Sequence, residues 1–127
     1  MEDSKMYRAF TNILSGDPDK AATFYQTLLG LVRHFDSDWF VLLTHPDFPG
    51  FEFGILSRDH ETVPAACRAV PSGVVLTFVV ADLEAVLERA TALDARIIET
   101  PTLTPYGQMR VLLHDLDGSI VDISSPR

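Results

Sequence analysis

Apolar and polar positions alternate over some stretches of this chain and recur at helical spacing over others, and the order of the two patterns predicts its architecture. Tyr7 to Ser15 alternates in part before Gly16 breaks the run, as a half-buried strand does. A helix follows: Asp17 caps it, Pro18 suits its first turn, and Ala21, Phe24, Tyr25, Leu28 and Leu29 share one face until Gly30 supplies a left-handed stop. Three short strands are expected next, Leu31 to Phe35, Trp39 to Thr44 and Phe51 to Ser57. They are separated by Asp36-Ser37-Asp38 and by the proline-rich loop His45 to Gly50.

Residues 58–72 carry two prolines and no clear period, so they form a connection with one short helical turn around Ala65 to Ala69. Beyond it come a strand from Gly73 to Val80 and a helix capped by Asp82, with Leu83, Val86, Leu87, Ala90 and Leu93 on one face. Strands at Arg96 to Thr100, Gln108 to His114 and Ser119 to Ser124 complete the chain, the last two joined at Leu116-Asp117-Gly118. Both halves thus run strand, helix, strand, strand, strand. Superimposed, Phe10 falls opposite Val75, Asp17 opposite Asp82, and Leu29-Gly30 near Leu93-Asp94, an internal repeat in pattern. The expected fold is α+β: two βαβββ modules (about residues 7–57 and 73–124) in one domain over residues 1–127. They form a curved mixed sheet around a cleft, with the helices outside.

Composition narrows the partners. With 127 residues, 46% hydrophobic and 22% charged, the chain is large enough to bury a core without staples. Ten Lys and Arg are scattered against a net charge of −8, which argues against nucleic acid and anionic membranes and favours a neutral or cationic small molecule. The start, Met1 to Met6, is charged where a signal peptide is apolar, and the longest apolar run, near Gly73 to Ala81, is too short for a span; a cytoplasmic location is expected. A single cysteine, Cys67, excludes an intrachain disulfide and a Cys-rich zinc site, and is expected to be a buried or idle thiol.

Four stretches resemble the vicinal oxygen chelate superfamily of glyoxalases, bleomycin-resistance proteins and extradiol dioxygenases. They are the first strand into Ser15-Gly16-Asp17, the helix end Phe24-Tyr25-Gln26-Thr27-Leu28-Leu29-Gly30-Leu31, the strand into Val80-Ala81-Asp82-Leu83, and Asp115-Leu116-Asp117-Gly118-Ser119-Ile120-Val121-Asp122. The resemblance implies a cleft whose metal-dependent forms take one His or Glu from each of four strands. Here those positions fall on Phe10, near Gly54 with Glu52 two residues back, on Val75 and on Asp122. Phe and Val have no lone pairs to give an ion, so neither the usual metal set nor any other cofactor is expected. His34, His45, His60 and His114 have no paired ligand spacing, though His114 ends a strand at the cleft rim.

Strand alternation sends Phe10, Asn12 and Leu14 to the cleft side, and likewise Val75, Thr77 and Val79, joined by Ile120, Asp122 and Ser124. Phe10, Asn12, Val75, Thr77, Tyr106, Gln108 and His114 are the candidate ligand-binding residues, in a mostly apolar pocket with a few directed polar groups. Trp39 is expected in the core or at a dimer surface. Glu52 and Asp122 are the candidate catalytic pair, since two carboxylates in an apolar pocket repel and one then holds a proton. The leading expectation is a metal-independent binding protein that sequesters an aromatic or cationic compound as a homodimer. The alternative is a lyase, isomerase or dioxygenase using that pair, or atypical metal ligands among Glu52, Asp122 and His114. A regulatory subunit with a vestigial cleft ranks third.

Overall fold

A computed structural model describes residues 4–126. The charged start Met1-Glu2-Asp3 and Arg127 lie outside the described residues. The element order is β1 (Thr11–Ser15), α1 (Pro18–Leu29), β2 (Val32–Asp36), β3 (Phe40–Thr44), β4 (Phe53–Ser57), a 3₁₀ turn (Ala65–Cys67), β5 (Val75–Val79), α2 (Leu83–Ala92), β6 (Arg96–Leu103), β7 (Gln108–His114) and β8 (Ile120–Pro126). Two βαβββ modules are therefore present, as the pattern predicts. Strand pairing runs within each module, in the orders β1-β4-β3-β2 and β5-β8-β7-β6. In each sheet the first strand lies parallel to the fourth and the remaining pairs are antiparallel.

The helices begin and end where their capping residues dictate. Asp17 Oδ1 accepts the Lys20 N–H at 3.1 Å, and Gly30, at φ 71°, closes α1 by donating to Gln26 O. Asp82 caps α2 in the same way through the Ala85 N–H. Helix faces and sheet faces then share one core. Ala21, Tyr25, Leu28 and Ala90 from the helices pack with Ile13, Val41, Ile55, Val111, Leu113, Val121 and Ile123 from the strands.

Several strand ends differ from expectation, three of them for a reason of pairing. β1 starts at Thr11 rather than Tyr7 because its first partner is Phe53, where β4 begins. Residues 4–10 carry no regular structure and are exposed. β6 continues past Thr100 to Leu103, held by Thr102 opposite Arg110 and Leu103 opposite Met109. It passes through Pro101, which an edge strand tolerates. β8 runs on to Pro126 opposite Gln108. Cys67 is exposed rather than buried, because the connection that carries it lies at the surface, with its Sγ against Pro64 O. Trp39 is half-buried and stacks on His60, ring centroids 3.9 Å apart at 13°. Among the described residues, no helix is long and apolar enough to cross a membrane.

Candidate functional site

Each sheet has one face against the helices and one face away from them, and the strand register assigns the side chains. In the second sheet Thr77, Asp122, Leu112 and Glu99 form a row across four strands, with Arg110 beside Ser124 in the adjacent row. All lie on the side opposite Val121 and Ile123, which are in the core. Thr77 Oγ1 donates to Asp122 Oδ2 at 3.0 Å, and Arg110 Nη2 donates to Glu99 Oε1 at 3.2 Å, an interaction that raises the guanidinium pKa. Asp122 is only 7% exposed although it faces away from the core. Its Oδ1 and the Arg110 Nε are buried without a hydrogen-bond partner among the described residues. To one side of this polar group, on edge strand β5, Val75 and Val79 stand open, at 59% and 60% exposure.

The equivalent row of the first sheet is Asn12, Gly54, Leu42 and Phe35. A side chain at Gly54 would place its Cβ 1.9 Å from Asn12 Oδ1, so the Asn12 amide occupies the space that a donor at this position would need. Phe10 joins an aromatic cluster with Phe40, at 6.4 Å between centroids, and Phe40 touches Phe35 in turn. Arg8 lies over the Phe10 ring, its Cζ 4.7 Å from the centroid, and its Nε donates to Glu52 Oε1 at 2.7 Å. Hydrogen bonding from Arg8, then its charge, holds the Glu52 carboxyl below the usual range.

The sequence-predicted residues thus divide. Thr77 and Asp122 are brought together, with Val75 beside them; Asn12 sits on the other sheet and Phe10 just before its first strand. Tyr106 is exposed in the tight turn before β7, where Thr104 Oγ1 receives the Gln108 N–H. The His114 ring is engaged with Gly118 O at 3.0 Å, across the β7–β8 turn. Glu52 is committed to Arg8, whereas Asp122 is bonded to Thr77. Three participants escape sequence reasoning: Arg8, Glu99 and Arg110. Only Arg110 carried a signal, because it lies two residues from Gln108 on one strand and so shares its face.

The four positions where metal-dependent relatives of the fold place donors do not fit an ion here. Phe10 and Val75 offer no lone pair, the Gly54 position is filled by Asn12, and Asp122 is tied to Thr77. Among the described residues, no group of three or more His, Cys, Asp or Glu is arranged to hold a metal.

A hollow of about 900 Å³ lies apart from the Asp122–Arg110 row. It sits where the β3–β4 loop overhangs the end of β5 and the start of α2, between Phe48, Phe51, Leu31, Phe78 and Val86. At the matching place in the other half there is contact instead of space. Tyr25 Oη donates to Asp115 Oδ2 at 2.6 Å, and the Gly16 N–H donates to Asp117 Oδ1 at 2.9 Å.

Solved structures share this fold. An enzyme of the glyoxalase/bleomycin resistance protein/dioxygenase family from Burkholderia phytofirmans PsJN is 23% identical, with a TM-score of 0.78 over 93% of this chain and 97% of that one. A superfamily member from Sphaerobacter thermophilus DSM 20745 is 20% identical, with a TM-score of 0.75 over 95% and 98%. TioX from Micromonospora sp. ML1 is 18% identical, with a TM-score of 0.72 over 96% and 100%. At these identities the likeness establishes the fold alone. No curated protein matches. A family model matches residues 9–123, nearly the whole chain, and the chain therefore belongs to the Glyoxalase/Bleomycin resistance protein/Dioxygenase superfamily.

Proposed function

We propose that the protein is a metal-independent binding module that sequesters an aromatic or cationic small molecule on the open face of the second sheet. The observation that carries this reading is the pair of buried polar atoms without partners among the described residues, Asp122 Oδ1 and Arg110 Nε, on the same sheet face as the open Val75 and Val79 side chains of the edge strand. An unsatisfied buried polar atom costs roughly 1–3 kcal/mol, and because both atoms are covered a ligand recovers it by drawing the Asp122 or Arg110 side chain outward to its own donor or acceptor. Asp122 and Glu99 together outweigh the charge of Arg110, so a cationic group is drawn to the row and an anionic one repelled. Exposed Val32 and Phe35 on one sheet with Phe10 just before it, and Val75 and Val79 on the other, suit coverage by a second copy, and a homodimer is part of the proposal.

The test is metal content and melting temperature, as isolated and after incubation with zinc, nickel, manganese and ferrous iron, followed by a thermal-shift screen of aromatic amines. No metal-dependent stabilisation, together with at least one amine that raises the melting temperature in wild type but not in Asp122→Asn, is the expected result. One ion per chain that stabilises the fold overturns it in favour of an enzyme with atypical ligands. Light scattering checks the dimer, which a monomeric mass at all concentrations contradicts.

A further inference from the structure

The hollow at the β5–α2 junction has one wall of an unusual kind, the free edge of a strand. β5 is the outermost strand of its sheet and, among the described residues, pairs only with β8. Val79 lies opposite Ser124, and the Val80 N–H donates to Ser124 O at 2.8 Å. In a parallel ladder alternate residues bond to the same neighbour, so Thr77 and Val79 direct their N–H and C=O groups the other way, off the sheet edge. Both residues line the hollow. The Thr77 side chain still reaches Asp122 on the open face, because side chains stand perpendicular to the sheet while backbone groups lie in its plane.

Opposite this edge the walls are apolar. Phe51 packs edge-on against Phe78, and Phe48 stacks on Phe51 at 15° with 60% of its surface exposed. The charged groups nearby are engaged or outside: Arg89 donates to Leu28 O, Asp82 accepts the Ala85 N–H, and Asp47 is exposed. The volume of about 900 Å³ lies within the range of roughly 300–1,000 Å³ typical of small-molecule sites.

We propose that this hollow is a second binding site, separate from the open sheet face, for a neutral planar heteroaromatic molecule carrying an acceptor next to an N–H donor along one edge. Such an edge bonds the Thr77 C=O and the Val79 N–H as a neighbouring strand would. The flat apolar ring meets the aromatic walls. An anion is disfavoured by Asp47 and Asp82 at the rim.

The experiment is a titration of the full chain followed by amide ¹H–¹⁵N shifts, with 2-quinolone as the donor–acceptor probe and N-methyl-2-quinolone as its match lacking the donor. Saturable shifts at Thr77, Val79 and Phe48 are expected with 2-quinolone, and at least tenfold weaker binding with the N-methyl compound. Ala85→Trp, which fills the hollow from α2, is expected to abolish the shifts. The comparison of the two probes on wild type stands even if that variant does not fold. Equal affinities, shifts confined to Arg110 and Asp122, or no saturable shift overturns the site, and none of these outcomes touches the metal and amine tests of the open face.

Discussion

The two junctions between a first strand and its helix are built alike and finished differently. At the β1–α1 junction the β7–β8 turn of the other module closes over Ser15-Gly16-Asp17. Asp115 accepts from Tyr25 through Oδ2 and from the Ser119 and Asp117 N–H groups through Oδ1, while Asp117 accepts the Gly16 N–H and pairs with Arg58. At the β5–α2 junction the longer β3–β4 loop lies over Val80-Ala81-Asp82 and leaves the hollow. By the superposition that sets Asp17 on Asp82, the counterpart of Tyr25 is Ala90, which has no group to reach across. One junction holds the modules together and the other keeps space open, so substitutions at the first should read out in stability and at the second in binding.

The largest effect is expected from Tyr25→Ala, which removes a fully buried ring touching Phe24, Phe53 and Phe78; chemical denaturation should register a loss of about 3–5 kcal/mol. Tyr25→Phe keeps the ring and deprives Asp115 Oδ2 of its donor, for a loss of roughly 1–3 kcal/mol in the same assay. Similar stability for Phe and wild type would mean that the clasp is packing alone. Burial, then the Asp115 charge, raises the Tyr25 pKa far above its ordinary value of 10.0. The folded state therefore binds a proton that the unfolded state releases, and stability present below pH 10 is lost as the pH rises beyond it. Alkaline unfolding should begin at lower pH in wild type than in Tyr25→Phe relative to each protein's neutral stability. The smallest change in stability is expected at Phe48→Ala, within about 0.5 kcal/mol because the ring is mostly exposed, with loss of 2-quinolone binding as its signature. A stability loss comparable with Tyr25→Phe would show that the hollow is a structural joint after all.

Glu52→Gln sharpens the division from the chemical side. The Arg8 pairing depresses the carboxyl pKa, and a carboxylate held below its usual range is a poor proton carrier near neutral pH. Any turnover found should survive this change, and its loss would restore Glu52 and Asp122 as an acid/base pair.

Elements were legible wherever a local signal marks an end. Asp17, Pro18 and Gly30 delimit α1 because caps and left-handed stops act over one turn of chain. The start of β1 was not legible, since alternation from Tyr7 continues past the point where β4 has residues to pair with. Of the candidate site, Thr77 and Asp122 were readable from the period of two, and they meet because β5 and β8 pair in that register. Arg8 could not be read as the partner of Glu52, because 44 residues separate them and nothing local links them.

By itself the amino-acid sequence determined the two modules, their helices, the family and the loss of donors at Phe10 and Val75, since each follows from residue identity and short-range periodicity. Tertiary structure alone decided that Asp122 and Arg110 keep unsatisfied atoms under an open apolar face, that Tyr25 clasps Asp115, and that a free strand edge borders a hollow. Those outcomes depend on which surfaces long-range packing brings together, and that is set by the whole core at once rather than by any one segment.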